Sequence, residues 1–387
     1  MTRIERVHTA LAGDRPDRVP YIPKIWVDFA ARTCAVPLER VIEDPCTALE
    51  VILQTGIACS VDAVRQFPFP ARRTERRHGI LVEVDAANRM IGTIDVEGGL
   101  QTSLTETSDF PLSDPVTMSY YQHRRPPEPV LNTIADVGSV AVPTPELLDE
   151  LGFDRNQIAT LASVRSNPDM PAVIQDCGPI GIAAYASFNG MNRAMLDLFD
   201  RPNVVHAALD RLDEIAIVKG LYWLSKGYRI LRINDSAGNM SVLSPDHWRA
   251  FVKPHFTAVV TELHRHRPDS LLYCHICGNT MPIIEDLIDT GLDCIAPIDP
   301  LGGMSVARAA AAVDGRAALM GGINTVSLVD ACPEEIVRQA RNCIADARAR
   351  SPDSGVPAGF VLGTGCVVPR DARLDNVNGK TICGELE

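Results

Sequence analysis

Eight short runs rich in β-branched and aliphatic residues, several closing on Gly, Pro or Asp, set the strongest constraint on how this chain can fold. They are Val19–Trp26, Ser60–Phe67, Ala172–Asp176, Arg229–Asn234, Leu271–His275, Cys294–Ile298, Ala317–Gly321 and Phe360–Gly363. Stretches of helical periodicity separate them, and strands that alternate with helices pair in parallel, because each return to the sheet needs a long crossover. Eight such units are the number that closes a (β/α)8 TIM barrel. The expected fold class is therefore α/β, a single barrel domain over residues 1–387.

Apolar residues recur at helical spacing in Leu38–Gly56, Pro145–Val164, Arg193–Lys226, Pro245–His266, Thr280–Gly291, Ser305–Asp314 and Pro333–Arg348. Arg193–Lys226 contains Pro202 and is expected to be two helices with a break near Asp200. Thr280 and Ser244 stand where N-caps belong, each followed by a proline suited to a first helical turn. One segment departs from the βα rhythm, the stretch 78–142 between the second and third strands. There Ile80, Val82 and Val84 alternate, as do Ile91, Thr93, Asp95 and Glu97, around Asp85-Ala86-Ala87-Asn88. That pattern predicts a β-hairpin inside an inserted β-rich segment over the barrel mouth.

Composition narrows the function classes. A formal charge of −12 repels phosphate backbones, so nucleic acid is not the expected partner. The apolar-leaning stretch from Gly178 to Asn192 is interrupted and falls short of the roughly 20 residues that span a bilayer. The first twelve residues read as an amphipathic helix without the apolar core of a secretion signal, which points to a cytoplasmic protein. Eleven cysteines, an odd number without short regular spacing, suit a reducing compartment rather than a disulfide framework.

The chemistry concentrates in Leu271-Leu272-Tyr273-Cys274-His275-Ile276-Cys277-Gly278. If the strand runs on to Cys277, alternation turns His275 and Cys277 to one side and Cys274 to the other. Gly278 then allows a tight departure at the carboxyl end of the strand, where barrel active sites are built. The eighth strand ends in Gly363-Thr364-Gly365-Cys366 at the same face. One imidazole and two thiolates match the composition of catalytic zinc sites, with a fourth position for substrate. The residues alone leave two other readings open, a redox dithiol of Cys274 and Cys277 or inert buried thiols.

The pairing of His-x-Cys at a strand end with Gly-Thr-Gly-Cys-x-x-Pro some 90 residues later resembles the zinc motif of corrinoid-dependent methyltransferases in the uroporphyrinogen decarboxylase superfamily. Three other segments are similar to that superfamily: Glu5 to Pro20, Ser244 to Pro254, and Asp375-Asn376-Val377. The resemblance implies that His275, Cys277 and Cys366 bind Zn2+. It also implies transfer of a methyl group from a small methylated substrate, such as a methoxylated aromatic (an O-demethylase) or a methylamine, to cob(I)alamin. No Asp-x-His-x-x-Gly cobalamin motif is present, so the corrinoid is expected on a partner protein. The opposite direction, from methylcorrinoid to a thiol acceptor, stays open.

Polar residues at other strand ends include Asp28, Asp62, Gln175, Asn234 and Asp299. Asp235 has the strongest claim to a catalytic part, because it follows the strand beside His275 and Cys277. Trp26, Asp176 and Asn324 are expected to contact substrate, with Tyr185 a further candidate wall. His264 and His266 are expected to face solvent. A metal-free decarboxylase-like lyase working through Asp28 or Asp62 is one rival reading. It lacks the Arg-rich Gln-Ala-Gly-Arg type segment of true uroporphyrinogen decarboxylases, where this chain has Pro23 to Phe29. A non-catalytic docking or zinc-buffering module, with four saturated ligands, is the other.

Overall fold

The structure, a computed structural model, describes residues 1–66, 68–96, 99–154, 169–349 and 355–383. The ends of two predicted elements, Phe67 of the second strand and 155–164 of the Pro145–Val164 helix, lie outside the described residues, as does Glu97. Strands are β1 (Tyr21–Lys24), β2 (Ala63–Gln66), β3 (Thr74–Arg77), β4 (Ile80–Val84), β5 (Met90–Asp95), β6 (Gln101–Leu104), β7 (Arg124–Arg125), β8 (Ala172–Pro179), β9 (Ile230–Asn234), β10 (Leu271–His275), β11 (Cys294–Ile298), β12 (Ala318–Ile323) and β13 (Phe360–Val367).

Eight of them form one parallel sheet in the order β1-β13-β12-β11-β10-β9-β8-β2, a nearly closed TIM barrel made from the eight predicted runs. Asp62 closes the ring. Its carboxylate accepts the Tyr21 amide at 2.8 Å, its own amide donates to the Tyr21 carbonyl at 2.9 Å, and Arg6 and Arg18 both bind it. Asp62 therefore sits at the amino-terminal rim, away from the strand ends that carry His275 and Cys366, and its role there is structural.

Between β2 and β8 lies a second sheet, ordered β3-β4-β5-β6-β7, with the predicted hairpin as its β4–β5 pair. Helices on the outside of the barrel bury one large apolar core, while a smaller cluster fills the barrel's lower interior with Ala63, Ala172, Ile230, Leu271, Cys294 and Val361. Higher up the interior turns polar. The period-2 alternation of β2, β8, β9 and β10 also turns Arg65, Asp176, Arg232, Tyr273 and His275 inward.

The helices differ from expectation at prolines. Leu38–Gly56 is two helices, Leu38–Glu43 and Pro45–Ala58, because Asp44 caps the second at the Cys46 amide. Pro245–His266 likewise divides into Pro245–Phe251 and Lys253–His266. The expected break near Asp200 separates Met191–Asp200 from Pro202–Ser225. Thr280 does not cap; its hydroxyl donates to Met304 Sδ instead. The stretch after β8, read only as an interrupted apolar run, contains the helix Gly181–Asn189.

Candidate metal centre and adjoining cleft

His275, Cys277 and Cys366 converge at the carboxyl ends of β10 and β13, their ligand atoms all within 4.8 Å of one another. The strand stops at His275, two residues short of Cys277, so it is a turn that brings the sulfur round rather than strict alternation. Gly278 makes that turn at φ +96°, where a Cβ would lie 3.0 Å from Asn239 Cγ, and its amide donates to Asp299 Oδ2 at 2.9 Å. At the other strand, a Cβ on Gly365 would meet Asp299 Oδ1 at 2.9 Å. Asp299 thus holds the Gly278 turn by a hydrogen bond and packs closely against Gly365.

The electrostatics suit a cation. Cys277 donates a hydrogen bond to Cys366, which draws the Cys366 thiol down to about 5 and holds the Cys277 proton more tightly; the Ser236 hydroxyl opposes that by donating to Cys277. Burial, reinforced by Lys24, Arg232 and Arg65, keeps the His275 imidazole neutral. A neutral imidazole beside a shared thiol proton is a donor set ready to bind a thiophilic metal. Lys24 Nζ, half-buried at the end of β1, lies 2.6 Å from His275 Nε2.

A cleft of about 540 Å3 opens beside these donors. Lys24, Trp26 and Asp28 line it from β1 and the start of the helix Val27–Thr33, Arg232, Asn234 and Ser236 from β9 and its loop, and Ala183 and Ser187 from the helix Gly181–Asn189. The inserted sheet supplies Gly99, Gln101, Gln122 and His123. His123 is buried and its imidazole is held neutral by burial and by Arg72. Asp176 forms a buried ion pair with Arg232 on the cleft floor.

Trp26 and Asp176 therefore stand where substrate contacts were expected, and Asn324 does not. Its side chain accepts the Val326 amide at 2.9 Å in the loop after β12, and it does not line the cleft. Asp235 also departs from expectation. It is 0% exposed, and its two oxygens accept the Ile182 and Ala183 amides at 3.1 and 2.8 Å, so it anchors the start of the helix Gly181–Asn189 and does not reach the cleft. Tyr185 is buried against Asp197; His264 is half-buried and binds Asp293 at 2.9 Å, while His266 is exposed as expected. Lys24, Arg232, Gln101, Gln122 and His123 were missed; the one signal for Arg232 was a cation at an inward position of an otherwise aliphatic strand.

Comparison with known proteins gives a family match, two relatives and one solved structure. The sequence pattern of the family described as uroporphyrinogen decarboxylase (URO-D) matches residues 115–379. A methylated-thiol–coenzyme M methyltransferase from Methanosarcina mazei is 21% identical over 65% of this chain and 64% of its own length. A methylcobamide:CoM methyltransferase, MtaA, from Methanosarcina barkeri is 24% identical over 61% of this chain and 68% of its own. The match thus spans about two thirds of either relative. A solved methyltransferase structure from Methanosarcina mazei superposes with a TM-score of 0.68 at 18% identity, covering 100% of this chain and 98% of that one, which supports the barrel fold.

Proposed function

The chain belongs to the uroporphyrinogen decarboxylase (URO-D) family, and from that premise we propose that it is a zinc-dependent methyltransferase. In this reading it moves a methyl group from a small methylated substrate to a cobamide carried by a separate corrinoid protein. The observation that carries the reading is the convergence of one imidazole and two thiols beside a cleft of about 540 Å3.

His275, Cys277 and Cys366 would hold the metal, their three ligand atoms lying within 4.8 Å of one another. Zinc bound there supplies Lewis acidity toward the heteroatom that carries the methyl group, worth on the order of several kcal/mol. Trp26 and His123 form the walls that exclude water, and the amides of Gln101 and Gln122 orient the substrate. The Arg232–Asp176 pair fixes the floor. Asp235 positions the helix that carries Ala183 and Ser187.

A second reading, transfer from methylcobamide to a thiol acceptor, draws support from the names of both relatives. The metal-free lyase has less support, because Asp62 is engaged at the opposite rim and only Asp28 of its two carboxylates lines the cleft.

Elemental analysis is expected to find about one zinc per chain, most of it lost in Cys277→Ser and in Cys366→Ser. Zinc-loaded protein is then mixed with reduced cobalamin and a panel of methoxylated aromatics, methylamines, methyl halides and methyl thioethers, and in a second arm with methylcobalamin and thiols. Formation of methylcobalamin in the first arm supports the proposed direction, and loss of methylcobalamin in the second supports the reverse. Silence in both arms, or full zinc retention by both variants, overturns the proposal.

A further inference from the structure

Beneath the three metal donors, the barrel interior holds a guanidinium with no hydrogen-bonded counter-ion among the described residues. Arg65 points inward from β2 and is 6% exposed, and its Nη1 and Nη2 find no hydrogen-bond partner among the described residues. The hydroxyl of Tyr273, from β10, is equally unpartnered at 2% exposure. Both side chains line one small cavity of about 20 Å3, together with Lys24, His275 and the apolar Ile22 and Met320. One species of water's size needs roughly 10–15 Å3 measured in this way.

The chemistry of the lining selects the guest. Arg232, beside Tyr273 in the strand register, has Asp176 as its counter-ion. Arg65 has no hydrogen-bonded counter-ion among the described residues; burial and repulsion from Arg232, partly offset by the charge of Asp176, pull its pKa only to about 10, so it keeps its charge near neutrality. An unpaired buried charge is costly. Lys24, also on the lining, is engaged by His275 Nε2 at 2.6 Å, so the donors left for a guest are the Arg65 guanidinium and the Tyr273 hydroxyl. A water molecule would turn its hydrogens toward that wall, whereas a small anion accepts from all of it.

We propose that this cavity binds a monovalent anion of halide size, chloride being the type, held by Arg65 Nη1 and Nη2 and the Tyr273 hydroxyl. The site lies below the metal donors and stands independently of the methyl-transfer reading. Its charge offsets that of Arg65, so it also strengthens retention of a cation by His275, Cys277 and Cys366 above it.

The test uses the full-length protein. Crystals grown in bromide are expected to show an anomalous peak between Arg65 and Tyr273. In thermal unfolding at constant ionic strength, exchanging gluconate for chloride or bromide is expected to raise the midpoint saturably. Arg65→Met abolishes that shift and Tyr273→Phe reduces it. If Arg65→Met does not fold, the wild-type bromide map and halide titration decide by themselves. A water or no density at the site, bromide bound only elsewhere, or a midpoint that ignores the identity of the anion overturns the proposal.

Discussion

Charge sits where a barrel of this kind ordinarily packs layers of branched aliphatic side chains. Arg65, Arg232 and Asp176 point inward from short strands of mostly aliphatic residues, with the neutral His275 above them. The convergence of His275, Cys277 and Cys366 was legible because both groupings stand at the carboxyl ends of predicted strands. The cleft residues were not, since a lone Lys24 or Gln122 acquires meaning only from what the fold places opposite it. Asp235 shows the converse. Its place beside the site was correctly read, but a carboxylate at a strand end serves a neighbouring helix's amides as readily as a substrate. Burial raises its pKa to about 7 despite those amides. A proton held more tightly in the folded state stabilises the fold below the unfolded value near 4, and that advantage is lost as pH rises toward 7. Stability should therefore fall by about 1.4 kcal/mol per pH unit across that window from this group alone. Urea midpoints measured from pH 4 to 8 should show the slope in the wild type and its loss in Asp235→Asn.

At the scale of elements, two layers make the cleft. The strand ends carry the donors, and the inserted sheet brings Gly99, Gln101, Gln122 and His123 against them. The alternation of β4 and β5 revealed a hairpin in the sequence. The expectation of a segment over the barrel mouth did not say which of its residues would line the cleft, because that depends on the docking of the whole sheet. The division predicts separable effects. Gln101→Leu and Gln122→Leu should each raise the KM for the methyl-bearing substrate about 3- to 10-fold, the value of one hydrogen bond, and leave zinc content unchanged. Steady-state kinetics paired with metal analysis checks this; a loss of zinc in either variant would show that the layers are not independent.

For the molecule as a whole, the eight-run pattern specified the barrel because crossover connections leave little topological choice. How the ring would close was not visible, since that depends on one side chain. Asp62 gathers Arg6, Arg18 and the Tyr21 amide in a buried cluster. Asp62→Ala removes the counter-ion of the partly exposed Arg18 and one of two counter-ions of Arg6, which keeps Asp17, and should lower stability by about 1–3 kcal/mol, measured as a shift in denaturant midpoint. The metal site, at the far rim, should keep its stoichiometry once the variant is folded.

That closure has a mechanical consequence. Backbone ladders join each of the other neighbouring strands around the ring, whereas β1 and β2 are held by Asp62 at one end. Such a joint behaves as a clasp on an otherwise welded hoop. Under thermal agitation or an approaching ligand it should be the first to part. The strand that would swing there ends at Lys24, two residues before Trp26, so one wall of the cleft is mounted on the hoop's most yielding seam.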